Sequence, residues 1–219
     1  AIHGDLGLIL EDDVVIVLRG LTEYEPLPDK INIVWNISHP DKVSDEEYEK
    51  YDHVFIASEQ YSQQLQQRLN VPVSPLIQCT DPDLFFPEAS DAIAREFALL
   101  FIGNSRKVFR KSVKYSVDKG LDISVYGTRW HDFISAEYLK GEHIPNNSLH
   151  RYYSNAAITL NDHWDSMSKL GFLSNRLFDI GASMVFVISD YALGIESVFS
   201  DAIPTYKSQD EFNQLVDFF

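Results

Sequence analysis

The residues best suited to chemistry stand close together, between positions 158 and 190. A strand is expected to end at Leu160, followed by a loop of hydrogen-bonding groups over 161–171 that includes Asn161 and Asp162. From Phe172 the pattern turns helical, with Gly181 as its end, and the apolar run 184–188 reads as a strand buried in a parallel sheet. Ser174, Asn175 and Arg176 fall in the first turn of that helix, where unpaired N–H groups and the helix dipole favour an anion. Asp179 follows one turn later as a carboxylate able to accept two neighbouring hydroxyls. A phosphate held at one end and a diol at the other describe a nucleotide.

Such groups need strand ends to present them, and the chain supplies strands alternating with helices. Runs at 14–18, 31–37 and 53–57 read as strands, the first of them buried, and 71–77 as an extended segment. Ser44 and Glu47 form a capping box, and Ser58 caps a helix over 59–69. After a polar stretch at 88–94, read as a linker, the pattern restarts. Strands are expected at 97–102, 121–126 and 202–206, with helices at 108–118, after Ser148, at 194–199 and after Ser208. The order implies an α/β protein with two Rossmann-like domains, 1–88 and 95–219, whose parallel sheets face across a cleft. The chain starts without a methionine and stops within a helical pattern, so a fragment with a truncated first domain is expected.

Composition removes several classes of function. A net charge of −15 without a Lys/Arg cluster argues against a nucleic-acid partner. No apolar run approaches the roughly 20 residues of a membrane-spanning helix. A single cysteine, Cys79, allows no internal disulfide and suits a reducing cytoplasmic setting. Neither a Gly-x-Gly-x-x-Gly fingerprint, nor a P-loop, nor a Gly-x-Ser-x-Gly elbow is present.

Several motifs in series carry a family resemblance. Phe101-Ile-Gly-Asn-Ser-Arg106, Val125-Tyr-Gly-x-x-Trp130, Leu160-Asn-Asp-His-Trp164 and Gly171-Phe-x-Ser-Asn-Arg-x-Phe-Asp179 resemble bacterial glycosyltransferases of the GT-B fold. The closest group is the CgeB-like, "glycosyl transferases group 1" kind. Upstream, Trp35-Asn-Ile-Ser-His-Pro40, Tyr51-Asp-x-Val-Phe-Ile-Ala-Ser58 and Gln78-x-Thr-Asp-Pro82 look like the end of such an enzyme's acceptor domain. The resemblance implies transfer of a sugar from a nucleotide-diphosphate donor to a hydroxyl of a glycan or glycolipid acceptor. It further implies surface polysaccharide assembly in the cytoplasm and is compatible with peripheral membrane association. Carried over by residue, Gly103, Asn104, Ser105 and Arg106 would meet the diphosphate, Arg176 would assist, and Asp179 would take the ribose. Enzymes of this fold generally stabilise the leaving group with helix N-termini and basic side chains, so neither metal nor cofactor is expected. One departure is plain: many relatives carry a Glu eight residues before the ribose acid, and that position here is Gly171. Either Asp162 and Asp165 serve the sugar instead, or donor recognition differs.

Each candidate also has an ordinary structural role open to it. Arg106 and Arg176 bind phosphate or pair with surface acids. Asp179 contacts ribose or is a solvent-facing acid paired with Arg176 along the helix. Tyr126 and Trp130 flank the base or belong to the core, and Trp164 stacks on a sugar or plugs the cleft. His163 transfers a proton or is structural. His39, with Asp41 as orienting partner, is the preferred base if the reaction inverts configuration. A nucleotide-sugar epimerase of the same fold and a non-catalytic nucleotide- or sugar-binding module are the rival functions.

Overall fold

In the computed structural model, residues 13–87 and 95–219 are described, and the stretch read as a linker, 88–94, lies outside them. The chain separates into two compact units. The first holds the chain up to Gln78 together with Trp164–Leu173 and Ala192–Ile195, and the second holds Cys79–His163, Ser174–Tyr191 and Glu196–Phe219.

Among the described residues the first unit has four parallel strands in the order β1 (Val14–Arg19), β2 (Ile31–Asn36), β3 (His53–Ile56) and β4 (Val73–Pro75). Helices, numbered along the whole chain, are α1 (Asp45–Tyr48), α2 (Glu59–Gln66) and α5 (Asp165–Leu170). The Ser44 and Ser58 hydroxyls accept from the N–H groups of Glu47 and Tyr61, so both helix starts are written locally in the sequence. Val34, Val54 and Ile56 on one sheet face are buried with Tyr48, Leu65 and Phe172. The Arg19 Nε donates to Glu47 Oε1 at 2.6 Å and its Nη2 donates to Oε2 at 3.1 Å, a forked ion pair beneath this sheet. β1 is not the fully buried strand expected. It is an edge strand with Ile16 and Leu18 more than half exposed, because no element among the described residues covers that face.

The second unit has six parallel strands: β5 (Phe97–Ile102), β6 (Ile123–Tyr126), β7 (Leu139–Gly141), β8 (Ala156–Asn161), β9 (Val187–Asp190) and β10 (Thr205–Tyr206). Their order, β10-β9-β8-β5-β6-β7, is that of a Rossmann sheet, with the reversal of winding between β5 and β8. The helices are α3 (Lys111–Asp118), α4 (Leu149–Ser154), α6 (Asn175–Ala182), α7 (Ile195–Phe199) and α8 (Gln209–Phe218). Phe101, Trp130, Ile123, Val125, Leu160 and Phe212 form its core. The chain is thus α/β with two parallel sheets, consistent with a GT-B-like pair of Rossmann-like units.

Local boundaries differ from expectation in instructive ways. The loop expected over 161–171 contains α5, closed by Gly171 at φ +76°. The following helix starts at Asn175, since Phe172 and Leu173 are buried anchors ahead of it. Gly181 lies within that helix, which runs on to Ala182. The strand after it starts at Val187 and not at 184, because Met184 turns left-handed at φ 53° and is 81 % exposed. Ser148 holds the cap position of its helix without a side-chain bond to it.

Candidate functional site

The switch between β5 and β8 is where an open parallel sheet splits its loops and leaves a crevice at its carboxyl edge. In this unit three arginines gather there. Arg106 lies on the turn after β5, Arg110 begins α3, and Arg176 lies in the first turn of α6. All three line one pocket with Gly103, Asn104, Tyr126 and Gly127. Gly127 has φ +142°, and a Cβ there would stand 2.3 Å from the Gly103 carbonyl oxygen, so the loops after β5 and β6 close on each other through bare backbone. The guanidinium carbons of Arg110 and Arg176 lie 5.1 and 5.4 Å from the centre of the Phe101 ring.

Side chains behind the pocket hold these cations in place. Arg176 Nη1 donates to Asn161 Oδ1 at 2.8 Å, and Asn161 Nδ2 donates to Ser189 Oγ at 2.8 Å. Arg110 forms an ion pair with the buried Asp162 carboxylate and donates to its backbone oxygen at 2.8 Å. Burial, and then the charge of Arg110, lowers the pKa of both Arg106 and Arg176. Guanidinium groups stay charged through such shifts, so the pocket brings like charges together, with the Asp162 carboxylate offsetting them from behind. In a chain with a net charge of −15 this is a local reversal of sign.

The other expected site residues divide clearly. Gly103, Asn104, Arg106, Tyr126 and Arg176 share the pocket. Asn161 and Asp162 are fully buried and steady the arginines from behind. Ser105 is buried with its hydroxyl on the Arg129 carbonyl, which gives it to the turn. Trp130 is a correction: it is completely buried, lies edge-on to Phe101, and donates from Nε1 to the Gly103 carbonyl at 2.8 Å. It therefore shapes the glycine loop from the core side. His163 is a second correction. The Ser174 N–H donates to its Nε2 at 2.9 Å, so Nδ1 carries the proton and donates to Asp190 Oδ1 at 2.6 Å. With both ring nitrogens engaged and its side chain inaccessible, His163 joins the start of α6 to the end of β9 and has no lone pair for catalysis. The same bond uses the Ser174 N–H that was expected to meet an anion.

Asp179 is the third correction. Expected to take the ribose hydroxyls from an accessible position, it is 8 % exposed and lies outside the set of pocket-lining residues. It accepts from Thr80 Oγ1 at 2.7 Å, and Asn175 Nδ2 donates to it at 3.1 and 3.2 Å. Burial pushes its pKa up, with Thr80, Asn175 and Arg176 opposing that effect.

His39 and Asp41 belong to the first unit, where they line a pocket with Lys42, Trp164, Asp165 and Ser166. His39 is held left-handed at φ 53°, with Nδ1 3.0 Å from Ser38 Oγ and its ring 6.1 Å from that of Trp164. The Ser166 hydroxyl does most to lower the Asp41 pKa, ahead of any contribution from Lys42. Trp164 is both a wall of this pocket and a neighbour of the unit's core.

Sequence reasoning missed Arg110, Glu142, His143, Ile144 and Leu149 as pocket residues. Arg110 stood near the start of the helix expected over 108–118, a usable signal. The segment 142–149 gave none, since β7, the strand that delivers it, is only three residues long.

A search of curated proteins finds no match to the chain. A family described as glycosyl transferase-like matches residues 106–219, which covers just over half of the chain and includes all three arginines, the braces Asn161 and Asp162, and Asp179. With that match on a Rossmann-ordered sheet whose switch point is cationic, the chain belongs to the glycosyl transferase-like family.

Proposed function

We propose that this protein transfers a sugar from a nucleoside-diphosphate donor to a hydroxyl of a glycan or glycolipid acceptor, with the diphosphate held by Arg106, Arg110 and Arg176. The observation that carries the reading is the convergence of these three guanidiniums at the β5–β8 switch point. The acceptor oxygen bonds to the anomeric carbon as the bond from that carbon to the diphosphate oxygen breaks. The electron pair leaves with the diphosphate, where preorganised cations meet the developing charge. The acceptor proton goes to a base, and His39, on the wall of the first unit's pocket beside Trp164, is the residue we assign to it. The closer likeness to CgeB-like bacterial members, a part in surface polysaccharide assembly and a cytoplasmic site belong to the same reading. No described helix is long and apolar enough to cross a membrane.

Calorimetric titration with nucleoside diphosphates tests it. Arg106→Gln and Arg176→Lys should each weaken binding by about tenfold or more, as expected for loss of a charge-assisted contact. Unchanged affinity in both variants would refute the assignment of the pocket. Appearance of a new glycosidic bond on incubation with donor and acceptor glycan would separate transfer from binding alone.

A further inference from the structure

The pocket of the second unit has two chemically different ends. Its cations stand on the β5 side, whereas the residues delivered by the edge strand β7 are Glu142, His143 and Ile144, joined by Leu149 and faced by Tyr126. Neighbouring strands are about 4.8 Å apart, so β5 and β7 are separated by roughly 10 Å, close to the reach from a diphosphate to the far edge of its base. A nucleotide with its phosphates on the arginines would therefore lay its base among Tyr126, Ile144 and Leu149. Glu142 is the only carboxylate among the pocket residues. The His131 Nε2 lies 3.7 Å from the Glu142 carboxylate, and the Glu142 side chain is two-thirds exposed, so a ligand can reach it.

From this, and resting on the reading of the pocket as a donor site, we infer that Glu142 selects guanine. A carboxylate accepts two parallel hydrogen bonds only from two adjacent donors. Guanine presents its N1–H and 2-amino group side by side. Uracil instead flanks its single N–H with two carbonyl oxygens, which a carboxylate repels. Adenine and cytosine each offer one amino group beside a ring acceptor. The donor is accordingly a guanosine-diphosphate sugar.

Titration of the whole chain with guanosine, inosine and uridine diphosphates decides the matter, since inosine differs from guanosine only in lacking the 2-amino group. Wild type should bind the guanosine form about tenfold or more tighter than the inosine form, and tighter still than the uridine form. In Glu142→Ala the guanosine and inosine forms should come within about twofold of each other, with the uridine form no weaker than in wild type. Tight binding that is blind to the base, or a guanosine preference that survives Glu142→Ala, would overturn the inference while leaving the donor site standing. Failure of all three diphosphates to bind would overturn the donor site and this inference together.

Discussion

At the residue scale the informative groups are those whose surroundings changed their meaning. Asp179 has the composition of a ligand contact and the burial of a structural acid. Its pKa is raised, chiefly by burial, so the folded protein binds its proton more tightly than the unfolded chain does. The sign of the effect follows: ionisation of Asp179 costs stability. That cost is absent below the ordinary Asp range near pH 3.9 and grows as pH rises through the raised value. Asp179→Asn keeps an oxygen for the Thr80 hydroxyl and removes the charge. The variant should therefore melt at or above the wild-type temperature at pH 7, with the difference closing towards pH 3. Thermal denaturation across that range would reject this account if the gap widened on acidification. His163 makes the same point without titration, because two hydrogen bonds with opposite proton requirements fix its tautomer and remove it from the candidate bases.

At the scale of elements, α5 and its end explain why a glycine stands at position 171. The residue closes α5 in the left-handed region at φ +76°. A Cβ there would stand 2.8 Å from Ser58 Oγ and 3.1 Å from the Leu193 carbonyl oxygen. Ser58 is itself committed, since its hydroxyl donates to the Leu170 carbonyl at 2.6 Å and caps α2. A longer side chain is therefore excluded by both conformation and space. Gly171→Ala should lower unfolding free energy by about 1–3 kcal/mol in urea denaturation. Gly171→Glu should cost more. An unchanged midpoint for Gly171→Ala would mean that the turn after α5 relaxes freely.

At the scale of the whole molecule, the charge distribution sets what the protein meets. The net charge is −15, yet three arginines share one pocket. A small anion can enter such a site, whereas a long polyanion would have to lie across acidic surface. Nucleoside diphosphates should bind at 0.1 M salt, while fluorescence anisotropy should detect no binding of a 20-base-pair duplex at concentrations up to about 100 μM. A duplex bound as tightly as the nucleotide would contradict this view of the surface.

Much of the architecture was legible in the sequence because its determinants act over a few residues. Short apolar runs such as 97–102, and the hydroxyls of Ser44, Ser58 and Ser208 ahead of their helices, are sufficient to predict parallel strands alternating with capped helices. The loop glycine Gly103 and Arg106 could be picked out because turns after strands have a recognisable composition, and Arg176 because it falls in the first turn of an expected helix. What the sequence left open depended on distance along the chain. Asp162 meets Arg110 across 52 residues and Asp179 meets Thr80 across 99, and no local periodicity encodes either pairing. Trp130 became a core residue and Glu142 a pocket residue only once the strand order β8-β5-β6-β7 set their strand ends side by side. Residue types and caps determined the elements, whereas the crossover connections decided which side chains became walls, braces or contacts. A side chain's role follows from its dielectric surroundings and its partners, and those exist only after the sheet has closed.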